Sequence, residues 1–255
     1  MTGPLSAGDH YVALGSSFAA GPGIRPHDRS APRRAMRSRG NYPHLVAQAW
    51  GLRLTDMTFS GATADGIAGA DGRPCQLDAV TAQTRLVTVT CGGNDVGYIG
   101  GLTLGAVPGS SWVPPLRRGL SDVMTAADAR FAVLPETFDR LFGRVRERAP
   151  QARLVVVDYL TILPPPGQPV RGVSRAVADW GRETAQRLAR TTGEAAARAG
   201  ATLVPASERS VDHHAWSAAP WTSGRTLRMG SGSPFHPNRA GMAAAADLVT
   251  AALGR

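Results

Sequence analysis

Apolar and polar positions follow two rhythms along this chain. Five short runs rich in β-branched or apolar residues have the length and composition of strands: Tyr11 to Leu14, Leu52 to Phe59, Arg85 to Cys91, Arg153 to Tyr159 and Ala201 to Pro205. Between most of them apolar positions recur every three or four residues, which predicts helices over Asn41 to Trp50, Ala126 to Arg148, Arg175 to Ala199 and Pro237 to Leu253. Strands alternating with helices imply a mostly parallel five-stranded sheet covered on both faces, an α/β fold. No internal repeat, linker or low-complexity tract interrupts the pattern, so residues 1–255 are expected to form one domain.

Gly, Pro and Ser, together with Trp112, Trp216 and Trp221, gather in the segments that follow the strands: 15–40, 60–74, 92–125, 160–172 and 206–235. Open α/β sheets bind ligands at the carboxyl ends of their strands, so function is expected in these segments. The segment after the third run, Gly92 to Thr125, reads as a loop of about thirty residues carrying Leu102, Leu104, Val107, Trp112, Val113 and Leu116. A loop of that length either walls a pocket or is a surface excursion.

Composition narrows the classes. With 255 residues, 43% of them apolar, the chain can bury roughly 70–75% of its unfolded surface. No run approaches the ~20 apolar residues that span a bilayer, and Met1 to Asp9 has neither the basic start nor the apolar stretch of a leader. Neither a membrane protein nor an uncleaved secretory precursor is expected. The net charge of +9 comes from 28 basic residues, all arginine, which raises nucleic acid and anionic lipid as partners. The arginines are dispersed, without interleaved aromatics or a reader motif, so nucleic acid is not expected. The absence of lysine from a chain rich in Ala, Arg, Gly and Pro reads as compositional bias. Two cysteines, Cys75 and Cys91, rule out a disulfide-stapled scaffold and a four-cysteine metal site. A reducing compartment fits this usage best, and a cytoplasmic location is expected.

Candidate chemistry lies in four blocks. The first strand runs into Gly15-Ser16-Ser17-Phe18-Ala19-Ala20-Gly21, where a serine on a glycine-flanked turn can present both its hydroxyl and its own N–H to a ligand. This is not the G-x-S-x-G elbow, because Ala19 stands at the second glycine, and a lysine-free chain has no Walker phosphate loop. Phe59-Ser60-Gly61-Ala62-Thr63 follows the second strand, and Cys91-Gly92-Gly93-Asn94-Asp95-Val96-Gly97 the third. A glycine N–H and an Asn amide on tight turns suit a developing oxyanion, and each block alone equally reads as a simple β-turn. Ahead of the last helix stands Gly232-Ser233-Pro234-Phe235-His236-Pro237-Asn238, whose histidine reads as a general base or as a polar cap. On one sheet, all four blocks would meet at one rim. His213 and His214 beside Asp212 point apart on an extended chain, so no metal site is expected.

These four blocks together resemble those of the SGNH hydrolases, also called GDSL esterases and lipases, and more narrowly their actinobacterial lipase-like branch. Tyr11-Val-Ala-Leu-Gly-Ser-Ser-Phe18, Ser60-Gly-Ala-Thr63, Thr90-Cys-Gly-Gly-Asn-Asp-Val-Gly97 and Phe235-His-Pro-Asn238 carry the likeness, and Asp212 to Trp221 is similar to a loop of that branch. The resemblance implies a three-layer α/β/α sandwich and a metal-free, cofactor-free serine hydrolase acting on a small-molecule or lipid ester. Carried over residue by residue, it implies Ser17 as nucleophile, His236 as base, and Ser17 N–H, Gly61 N–H and the Asn94 side chain as the oxyanion hole. Its secreted members carry extra cysteine pairs, and Trp216 stands where one such cysteine would fall.

Two departures stand out. Ser16 replaces the family's aspartate before the nucleophile, and Ser233 replaces the aspartate three residues before the histidine. The expected triad becomes a dyad, with His236 oriented by Ser233 or by a backbone carbonyl within 232–234. Arg25, Arg29, Arg33, Arg34, Arg37 and Arg39 crowd the segment beyond the nucleophile, as a site for an anionic head group or as a solvated loop. Phe18, Trp112 and Trp221 are candidates for an acyl slot. The same Ser-His site could instead serve a biosynthetic acyltransferase, and a catalytically impaired relative that binds nucleic acid or anions is a third reading.

Overall fold

A computed structural model describes residues 3–69, 75–225 and 232–254. The tracts after the second and fifth strands therefore include residues, 70–74 and 226–231, that lie outside the described set. Five strands, β1 (His10–Gly15), β2 (Arg53–Asp56), β3 (Thr84–Thr90), β4 (Arg153–Val157) and β5 (Thr202–Val204), form one sheet in the order β2-β1-β3-β4-β5. Every pairing is parallel, with Gly15 opposite Thr90 at the end of the central pair.

The helices are α1 (Ser17–Ala20), α2 (Tyr42–Trp50), α3 (Ala64–Ile67), α4 (Tyr98–Gly105), α5 (Pro114–Thr125), α6 (Ala127–Arg148), α7 (Arg175–Arg198), α8 (Ala206–Arg209) and α9 (Arg239–Ala252). Successive strand residues point to opposite faces, and each face is apolar, as a doubly covered parallel sheet requires. Tyr11, Ala13, Leu86, Val155 and Val157 pack with Tyr42 and Val46 of α2 and Met242 and Val249 of α9. Val12, Leu14, Val87, Val89 and Val156 pack on the other face with Leu102 of α4, Phe138 and Phe142 of α6 and Leu188 of α7. The result is a three-layer α/β/α sandwich. No helix among the described residues is long and apolar enough to cross a membrane.

This strand order has a functional consequence. From β1 the chain moves outward to β2, whereas from β3 it moves the opposite way to β4. A crevice opens where the winding reverses, at the carboxyl ends of β1 and β3. Gly15-Ser16-Ser17 and Cys91-Gly92-Gly93-Asn94 leave the sheet at that point.

The segment expected to be a thirty-residue loop after β3 is instead largely helical, holding α4 and α5. Glycines hid α4, with Gly100, Gly101 and Gly105 among its eight residues. Tertiary packing overrides their poor propensity, because the bare backbone of Gly101 and Gly105 lets α4 lie directly on Trp180 and Val177 of α7. A Cβ on Gly105 would stand 2.5 Å from Val177 Cγ1, and Val177 is a buried, β-branched residue of α7. Gly105→Ala is therefore expected to destabilise the fold by about 1–2 kcal/mol, since overpacking costs roughly 1–3 kcal/mol against at most about 1 gained in helix propensity. Urea unfolding measures this, and an unchanged or raised midpoint would show that Val177 yields freely.

Candidate active site

The first block owes its geometry to a missing side chain. Gly15 has φ +147, and a Cβ there would fall 2.6 Å from the Thr90 carbonyl oxygen. Without that atom β1 stays paired to β3 to its last residue, and Ser16 N–H donates to the same Thr90 carbonyl at 2.9 Å. Gln76 clamps the turn from outside the sheet: its amide oxygen accepts from Gly15 N–H at 2.8 Å and its amide nitrogen donates to Gly15 O at 3.1 Å. The chain leaves the strand at Ser16 and enters the single helical turn of α1 at Ser17, which is 5% exposed.

The fourth block reaches Ser17 through a strained turn. Phe235, buried, has φ +58, a conformation that favours glycine. Pairing with the preceding loop holds it there: Phe235 N–H donates to Ser223 O at 3.1 Å, Ser223 N–H to His236 O at 2.8 Å, and Asn238 N–H to Trp221 O at 2.9 Å. Ser233 N–H donates to Pro22 O at 3.0 Å, which ties the turn to the segment behind Ser17. His236 Nε2 consequently lies 2.8 Å from Ser17 Oγ.

Pro234 O lies 2.7 Å from His236 Nδ1. A carbonyl can only accept, so Nδ1 carries the ring proton and bare Nε2 faces the serine hydroxyl. Of the two expected orienters, the backbone carbonyl takes the position and the Ser233 side chain does not. The reversed turn at Phe235 is the reason, since it folds the carbonyl two residues back onto the ring. Burial of the imidazole, which favours the neutral ring, lowers the pKa of His236 below 6.5, opposed in smaller part by the bond to Pro234.

The second and third blocks meet each other beside this pair. Phe59 N–H donates to Gly15 O at 3.0 Å, which brings the chain after β2 alongside the Ser17 turn. Asn94 Nδ2 donates to Ala62 O at 2.9 Å, joining its turn to that of Gly61, where φ is +80. An amide has two N–H bonds, so one remains for another acceptor. Among the described residues, neither Ser17 N–H nor Gly61 N–H has a hydrogen-bond partner.

Two residues that sequence reasoning passed over hold this arrangement. Gln76 is one. Asp95 is the other, its Oδ1 accepting from Ala64 N–H at 2.9 Å and so fastening the Asn94 turn to α3. Burial is the main influence on Asp95 and raises its pKa to about 6. Its place beside Asn94 was a usable signal, whereas Gln76 lies in a stretch with no motif.

Other expected groups separate. Phe18 is 3% exposed, with its ring centroid 4.3 Å from that of Tyr159, so it is packed rather than open. Trp112 is 75% exposed in the turn before α5, and Trp221 stacks on His213 at 3.9 Å. The structure does not gather these three into one wall, because each is committed to a different element. Arg37 turns inward, donating to Thr58 O at 3.0 and 2.9 Å and pairing with Asp28 and Asp56. Arg25, Arg29, Arg33, Arg34 and Arg39 are exposed. Among the described residues no cluster of three His, Cys, Asp or Glu side chains suits a metal ion.

A buried hydroxyl bonded to a neutral, oriented imidazole, with free N–H donors nearby, is equipped for nucleophilic acyl transfer. The known proteins that this chain resembles agree. Residues 13–244 match the GDSL-like lipase/acylhydrolase family. Lipase 2 of Streptomyces coelicolor is 35% identical over 256 aligned positions, covering 96% of this chain and 85% of that protein. The crystal structure of an extracellular lipase from Streptomyces rimosus superposes with a TM-score of 0.80 at 27% identity, over 95% of this chain and 99% of that one. A phospholipase A1 from Streptomyces albidoflavus shares the fold, with a TM-score of 0.77 at 23% identity over 96% of this chain and 99% of that one. The chain belongs to the GDSL-like lipase/acylhydrolase family and is a carboxylic ester hydrolase of that type.

Proposed function

We propose that this hydrolase works through a covalent acyl-enzyme on Ser17, with His236 as its base in a Ser-His dyad. The observation that carries the reading is the 2.8 Å bond from Ser17 Oγ to a His236 Nε2 whose tautomer the Pro234 carbonyl dictates. Ser17 Oγ attacks the ester carbonyl carbon while its proton passes to Nε2. The carbonyl oxygen, now negative, accepts from Ser17 N–H, Gly61 N–H and the free N–H of Asn94. Collapse expels the alcohol, which takes the proton from Nε2. Water then attacks the acyl-Ser17 carbonyl, giving up its proton to the same nitrogen, and the acid leaves as Ser17 recovers its hydrogen.

A carbonyl in place of a carboxylate keeps the tautomer but lacks the full charge that steadies an imidazolium. Hydrolysis is preferred over transfer to an alcohol because the similar proteins of known activity are lipases. A non-catalytic role is disfavoured, because Ser17, His236, Gly61 and Asn94 all keep the chemistry the reaction requires.

The preferred substrate in this reading is an ester with an anionic head. Ser60 N–H donates to Ala35 O at 3.1 Å, which sets the exposed Arg33 and Arg34 beside the Gly61 turn. Cytoplasmic residence fits the two free thiols, Cys75 and Cys91.

Ser17→Ala is expected to lower ester turnover to the about 10³- to 10⁴-fold residual over water that binding and an oxyanion hole provide, and to abolish fluorophosphonate labelling. Label found by mass on another residue would end the assignment. Because His236 must be neutral to accept a proton and burial lowers its pKa, the acid-side midpoint of kcat/KM should lie below 6.5. An acid-side midpoint above 6.5 contradicts this. Anionic esters should be cleaved faster than neutral esters of equal acyl length at low salt, with the advantage shrinking in 0.5 M NaCl and in Arg33→Ala/Arg34→Ala. Equal rates at every salt concentration would discard the head-group reading.

A further inference from the structure

The proposed chemistry places the nucleophile on one loop and the Asn94 donor on another, after different strands. Their spacing has to be held to a fraction of an ångström, since a displacement of about 1 Å costs on the order of 10²-fold in rate. One side chain outside the proposed chemistry touches both loops. Tyr159 follows β4, is 7% exposed, and sends its phenol oxygen between them. Gly93 N–H donates to that oxygen at 2.9 Å, and Ser16 Oγ lies 3.1 Å from it. An N–H can only donate, so the phenol oxygen accepts from Gly93, and its own proton remains for Ser16 Oγ or is matched by one from that hydroxyl.

The ring contributes as much as the hydroxyl. A Cβ on Gly93 would stand 2.7 Å from Cε1, Cζ and the oxygen of Tyr159, so the backbone before Asn94 lies directly against the phenol end of the ring. Phe18, on the other side of Ser17 from Ser16, lies 4.3 Å centroid to centroid from the same ring and 5.4 Å from the His236 ring. Tyr159 thus contacts the residues on either side of Ser17 and the residue before Asn94. Burial pushes the pKa of its phenol far up, so it stays a neutral strut through the working pH range.

We infer that Tyr159 is a positioning residue that locks the Ser16–Phe18 turn to the Gly93–Asn94 turn and so sets the distance between nucleophile and oxyanion donor. It also supplies Ser16 with a partner where the resemblance expects an aspartate. A short neutral hydroxyl cannot brace the turn against backbone by charge, and the phenol reaches in to complete it. This rests on the assignment of Ser17 and Asn94 above.

Tyr159→Phe keeps the ring and removes the oxygen, leaving Gly93 N–H and Ser16 Oγ without it. The expected result is a fall in kcat of about 10- to 100-fold with KM changed less than about threefold and the acid-side midpoint unmoved. The rate of fluorophosphonate labelling should fall in parallel. Against an Asn94→Ala background the same change should cost less than about threefold more, because the donor it aligns is gone. Ser16→Ala, which cuts the other end of the link, reads the same coupling if the Phe variant folds poorly. A kcat within twofold of the parent in both variants, a loss confined to KM, or full additivity with Asn94→Ala would overturn the inference. Ser17→Ala separates the two failures: inactive Ser17→Ala with fully active Tyr159→Phe sinks only the strut, whereas active Ser17→Ala sinks the assignment beneath it.

Discussion

The contact between Gly15 and the Thr90 carbonyl is the constraint on which the site depends. Two central parallel strands run side by side to their last residues because one of them ends without a side chain. Any Cβ there would force the strand ends apart and move Ser17 away from the loop that bears Asn94. On the side where β2 has already ended, Gln76 meets both polar groups of Gly15, so its buried N–H is not left unsatisfied. The strand reversal between β1 and β3 supplies the crevice, and this glycine keeps it narrow.

His236 shows the same economy in another form. It is presented by a strained Phe235 and a short antiparallel contact between Thr222 and Pro237, not by a regular element. A non-glycine residue in the left-handed region costs on the order of 1 kcal/mol or more, and it persists because the flanking hydrogen bonds over-determine it. In return the Pro234 carbonyl reaches the ring and selects the tautomer. Burial that lowers the pKa of His236 favours a proton-free Nε2, and it also makes the imidazolium harder to form. The proposed dyad, with its neutral orienter, sits between those two demands.

Much of the framework is legible without coordinates. The five strands and the helices α2, α6, α7 and α9 follow from periodicity, with differences at their ends, because each is a local pattern of apolar positions. Ser17, Gly61, Asn94 and His236 stand out because their four blocks, taken together and in order, resemble those of the GDSL hydrolases, whereas each block alone reads equally as a turn or a cap. The α4 helix escaped for an equally physical reason: Gly101 and Gly105 serve contact with α7, and local propensity counts against them.

Contacts distant in the chain leave no such mark. Gln76 meets Gly15 across 61 residues and Tyr159 meets Ser16 across 143, and nothing beside either residue announces the partner. The orienting group of His236 was invisible in a different way, since every residue has a carbonyl and only the path of the backbone selects Pro234. Residue types and short spacings thus name which groups are able to react, because those depend on side-chain chemistry and local turns. Which groups hold them still depends on how separate loops pack, and packing is a property of the folded whole.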